Sequence, residues 1–68
     1  MKLSARNQLA GTVVSINEGA AIANVELSVA GQRLVSSITV EAVKELGLKP
    51  GSAIVAVIKA SVVLIATP

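Results

Sequence analysis

AIANVELSVAGQRLVSSIT, residues 21–39, decides the fold. From Ala21 to Val29 the odd positions are Ala21, Ala23, Val25, Leu27 and Val29, while Ile22, Asn24, Glu26 and Ser28 face the other way. A two-residue period with one mostly polar face is a half-exposed strand. Ala30-Gly31-Gln32 then makes a tight hairpin turn into a third strand, Arg33–Ile38, where Leu34, Ser36 and Ile38 alternate with Arg33, Val35 and Ser37. At Thr39 the period changes. The Thr39 hydroxyl caps a short helix, Val40–Leu46, with Glu41 at the positive end of its dipole, Val43 and Leu46 on one face, and Gly47 as the C-terminal cap.

The rest of the chain fits outward from that core pattern. Upstream, Leu9–Ile16 reads as a first strand, ended by the turn Asn17-Glu18-Gly19, where Gly19 can take a positive φ at little cost. Downstream, Pro50 and Gly51 suit the two central positions of a type II bend. Two nearly continuous apolar strands follow, Ala53–Ile58 and Val62–Ala66, separated by Lys59-Ala60-Ser61. Three strands, a helix and two strands give a mainly β fold, an OB-like five-stranded barrel with one short helix between strands three and four. Residues 1–68 form a single domain.

Composition narrows the function. A chain of 68 residues buries only about 60% of its unfolded surface, so its own core is marginal. With no Cys and no His, disulfides, thiolate or imidazole metal sites and the common nucleophile–base pairs are excluded. Oligomerisation is the remaining support, and two strands apolar on both faces call for a subunit interface. No apolar run approaches the roughly 20 residues of a membrane helix, and Met1-Lys2-Leu3-Ser4 does not open a secretory signal, which places the chain in the cytoplasm. A net charge of +2 without any aromatic residue argues against nucleic acid, whose bases OB modules stack on aromatic rings. Four Glu and no Asp leave little for a carboxylate metal cage or an acid–base pair, so the chain is not expected to be an enzyme.

The chemistry lies at the two ends. Ser4-Ala5-Arg6-Asn7-Gln8 and Lys59-Ala60-Ser61 flank apolar strand sequence and supply a guanidinium, an ammonium and two hydroxyls. Such a donor-rich set suits a small tetrahedral oxyanion. Arg6 and Lys59 could singly be solvated strand-end charges, but the paired constellation favours an anion site. Lys2, Arg33, Lys44, Lys49 and the four Glu residues read as ordinary surface charges.

Ser4-Ala5-Arg6-Asn7-Gln8-Leu9, Gly19-Ala20-Ala21, Ile38-Thr39, Leu46-Gly47-Leu48, Pro50-Gly51 and Ile58-Lys59-Ala60-Ser61 occur in an order and spacing that resemble the molbindins, small proteins of the Mop domain. The resemblance spans nearly the whole chain. It implies binding of molybdate or tungstate as the ligand, for intracellular storage or homeostasis, in a homohexamer built as a trimer of dimers. It further implies a principal site of Ser4, Ala5, Arg6, Lys59, Ala60 and Ser61 with Thr39 from a neighbouring chain, and a second oxyanion site at backbone around Gly19, Ala20 and Ala21. The sequence departs from the family at Ala42, where many Mop domains carry Ser. An OB-like nucleic-acid module and a purely structural oligomer are the alternatives.

Overall fold

The structure, a computed structural model, describes residues 2–68. Its frame is one antiparallel sheet of four strands in the order β3-β2-β1-β4, where β1 is Asn7–Glu18, β2 Ile22–Val29, β3 Gln32–Thr39 and β4 Ala53–Ile58. The helix α1, Val40–Leu46, follows β3 directly, as the change of period at Thr39 implies. Odd positions of β2 face the core: Ala23, Val25 and Leu27 are buried and meet Val13 of β1 and Val43 of α1. Asn24, Glu26 and Ser28 lie on the outer face, where Arg33 Nε donates to Glu26 Oε1 at 2.7 Å.

The β2–β3 hairpin closes with Val29 opposite Gln32, so its loop is just Ala30 and Gly31. Both take positive φ, 51° and 79°, the pattern of a two-residue hairpin turn whose twist matches the flanking strands. Capping of α1 is complete at both ends. Thr39 Oγ1 accepts the Ala42 amide at 3.0 Å; Gly47, at φ 63°, donates to Lys44 O at 3.1 Å, and Leu48 donates to Val43 O at 3.0 Å. That pair of bonds stops the helix and turns Leu48 back onto the core.

β1 is longer than the alternation indicated and serves two partners. Residues 7–12 pair with β4 and residues 12–18 with β2, sharing Thr12, and a bulge falls between Val13 and Ser15. The strand bends where it changes partner, and Gly11 sits at that point: an added Cβ would lie 2.4 Å from Ser28 O and 2.8 Å from Val29 Cγ2. Close approach of β2 is therefore what requires this glycine. Gly19 has a different basis from the expected one. Its φ is not positive; its amide donates to Ile22 O at 2.8 Å, and a Cβ there would press to 3.0 Å on the same carbonyl oxygen.

The expected fifth strand, Val62–Ala66, does not pair within the chain. Lys59 leads into a 3-10 turn, Ala60–Val62, and residues 63–68 have no regular structure. Leu64 and Ile65 are 92% and 90% exposed. An alternation pattern reports that a segment is extended and apolar but not which sheet receives it. The sheet thus stays open, and between its edge strands β3 and β4 lies a groove of about 400 Å³ lined by Leu34, Ile38, Ile54, Ala56 and Ile58.

Candidate oxyanion site

The two end motifs meet because β1 and β4 are antiparallel neighbours. Asn7 is opposite Ile58, so Arg6 and Lys59 follow next outward at the ends of the two adjacent strands, with Ala5 and Ala60 beyond them. The sheet register alone produces this meeting of residues more than fifty positions apart. Gln8 Nε2 donates to Ala5 O at 3.1 Å and ties the Ser4–Ala5 bend to the start of β1. On the opposite strand the 3-10 turn is held by Val62 N to Lys59 O at 3.0 Å and Val63 N to Ala60 O at 3.3 Å. Ser61 rides on that turn.

What these groups offer a ligand is almost purely donors. Among the described residues the one ion pair is Arg33–Glu26, so neither Arg6 nor Lys59 is neutralised by a carboxylate. Among the described residues the amides of Ala5, Ala60 and Ser61 have no acceptor. Arg6, Lys59, Ser4 and Ser61 are all exposed, so this half-site is open to solvent in the single chain.

Thr39 does not join them. It pairs with Ile22 while Ala23 pairs with Glu18, which puts it beside the far end of β1. The whole twelve-residue strand β1 lies between the two positions. Thr39 instead opens on a groove with Ala20, Ala21, Glu41, Lys44 and Glu45. Within that group the Ala20 and Ala21 amides have no acceptor among the described residues, whereas the Gly19 amide is consumed by Ile22 O. Since Thr39 Oγ1 already accepts from Ala42, its hydroxyl proton is what remains to give.

A family model for the TOBE domain matches residues 3–65. The chain belongs to the TOBE domain family. Molybdenum-pterin-binding protein 1 of Clostridium pasteurianum is 46% identical over 66 residues, covering 96% of this chain and 97% of that protein. A molybdate binding protein from Sporomusa ovata, known as a high-resolution structure, superposes with a TM-score of 0.94 at 36% identity, over 98% of this chain and 100% of that one. The cytoplasmic molybdate-binding protein ModG, solved with molybdate bound, superposes with a TM-score of 0.84 at 54% identity, over 88% of this chain and 43% of that one. These relatives bear out the resemblance to Mop proteins that the motifs carry. Lys44, an ordinary surface charge in the sequence reading, is exposed in this TOBE domain and also lines the Thr39 groove, where the tertiary packing of α1 beside the Ala20–Ala21 turn puts it.

Proposed function

We propose that this TOBE domain, a single Mop domain over residues 1–68, binds molybdate or tungstate between subunits and holds it without chemical change. The observation that carries this reading is the β1–β4 register, which sets Arg6 beside Lys59 with open amides at Ala5, Ala60 and Ser61 and no carboxylate. At neutral pH the two oxyanions carry two negative charges and present only acceptor oxygens, so a shell of guanidinium, ammonium, hydroxyl and amide donors satisfies them fully. Relatives named for molybdate or molybdenum-pterin binding over nearly their whole length support the same ligand class.

Thr39 completes the principal site from a neighbouring chain, since its own chain holds it at the opposite end of β1. Ala20 and Ala21 form the backbone of the second oxyanion site, to which Gly19 contributes shape rather than an amide. The five-stranded OB-like barrel is completed in trans: Val62–Ala66 of one chain lies between the β3 and β4 edges of another and covers the apolar groove there. Pairs joined in this way assemble as a hexamer, a trimer of dimers, in the cytoplasm, where the protein stores or buffers the anion.

Native mass spectrometry with and without molybdate, followed by calorimetry on Arg6→Ala and Lys59→Ala, tests the reading. The parent should appear as a hexamer that gains molybdate. Each variant should keep the assembly and lose about 2 kcal/mol of binding free energy through the missing charge-assisted partner. Unchanged affinity in both variants would return Arg6 and Lys59 to the status of solvated charges.

A further inference from the structure

Resting on the reading that Thr39 is delivered to the Arg6–Lys59 site of another chain, we propose that Lys44 is delivered with it and is the third cation of the assembled oxyanion site. Thr39 and Lys44 open on one groove together with Ala20, Ala21, Glu41 and Glu45. Their relative placement is fixed: Thr39 caps the helix that carries Lys44, Val43 of that helix is buried in the core, and the Val40 amide is tied to Ala21 O at 2.8 Å. Whatever brings the Thr39 hydroxyl to an anion therefore brings the whole wall.

An exposed lysine alone says nothing about a ligand. Here it has a companion that points the same way, the Thr39 hydroxyl proton, a donor with no acceptor among the described residues, while the neighbouring Ala20 and Ala21 amides, assigned to the second site, keep the groove donor-rich. Lys44 makes no ion pair with Glu41 or Glu45, so its ammonium is available to the groove. The charge balance shows why it matters. Glu41 and Glu45 travel with Thr39 as well, and they would oppose a dianion. Arg6 and Lys59 just cancel these two carboxylates; Lys44 gives the assembled site its net positive charge.

Calorimetric titration of the full chain with molybdate, at low and moderate ionic strength and with assembly verified by native mass spectrometry, tests this. Lys44→Ala should weaken binding roughly three- to ten-fold, the loss being larger at low salt. Lys44→Arg should recover most of the affinity, and Lys44→Glu should lose more than the alanine variant. Lys49→Ala, an equally solvent-exposed cation outside the groove, should bind as the parent does. An affinity for Lys44→Ala within two-fold of the parent overturns the proposal, as does an equal loss in Lys49→Ala, which would mean a bulk charge effect. Failure of Arg to rescue overturns it too, since the role claimed is charge. The underlying reading fails separately: loss of Lys59→Ala sensitivity, or a parent that takes up no molybdate, removes the site itself.

Discussion

At Gly11 and at Gly19 the structure gives a reason for glycine that is not conformational freedom. At Gly11 the neighbouring backbone occupies the space of a side chain, with Ser28 O 2.4 Å from an ideal Cβ. Gly11→Ala must push β2 away from β1, and a backbone oxygen cannot rotate aside as a side chain would. The expected cost is about 2 kcal/mol or more, at the upper end of what overpacking a site costs, read as a fall in melting temperature at fixed protein concentration. A melt within error of the parent would show that the strands tolerate the methyl and that the crossing is looser than described. By contrast Ala30 keeps a side chain at φ 51°, a conformation that costs L-residues about 1–2 kcal/mol, which the short hairpin loop enforces. Residue-level chemistry was thus legible where it is local, as at the Thr39 cap and the Gly47 stop. It was not legible where a distant strand supplies the reason, as at Gly11.

At the scale of elements, alternation located β2 and β3, the Thr39 and Gly47 caps located α1, and a nearly continuous apolar run located β4, each to within a residue or two. The ends of β1 escaped notice since Asn7, Gln8, Asn17 and Glu18 are polar and owe their strand geometry to partners rather than to burial. The two end motifs meet through the antiparallel pairing of β1 and β4. The separation of Thr39 from them, and its company with Lys44, depend on tertiary packing that no periodicity encodes. The C-terminal segment is the informative case. Its composition is that of a strand, yet Leu64 and Ile65 are almost fully exposed, while β3 and β4 leave open edges with an apolar floor between them. Burying each of the two side chains is worth about 1.5–3 kcal/mol, so leaving them in water is a standing incentive to dock on a second copy. The double substitution Leu64→Lys with Ile65→Lys should therefore reduce the assembly to unfolded or dissociated chains by sedimentation velocity at micromolar concentration, whereas Thr67→Lys, beyond the apolar run, should not. An intact assembly in the double variant would sink the idea that this segment completes another chain's barrel.

Taken as a whole molecule, the single chain has too little inside. Among the described residues the buried hydrophobic set is Val13, Ala23, Val25, Leu27 and Val43, against twelve large aliphatic side chains left exposed, including Leu9, Val55, Val57 and Leu46. Five buried side chains with eight partly buried ones packed against them are a small core for this chain length, so the chain is predicted to fold only as it associates. The melting temperature should rise steadily with protein concentration, as it does when the folded state exists only in an oligomer. Molybdate held between subunits, as proposed, should add to that stability: at a hundred times its dissociation constant it should contribute about 2.7 kcal/mol per site, with tungstate similar because charge, shape and acceptor count are the same. Sulfate has the same charge but shorter bonds, so it should stabilise less in a shell fixed by several subunits. Phosphate should stabilise least of the four. At neutral pH it carries a proton that needs an acceptor, and the Arg6–Lys59 half-site offers donors, so that hydroxyl is satisfied only where Glu41 or Glu45, carried in with Thr39, turns toward it. Scanning fluorimetry is unsuited to a chain without Trp or Tyr unless a dye is used, so calorimetric melts across a hundred-fold range of protein, with each anion at equal concentration, are the measurement. A melting temperature independent of protein concentration would mean a monomer that folds alone, and an equal shift with phosphate would mean a site that recognises charge without recognising the oxyanion.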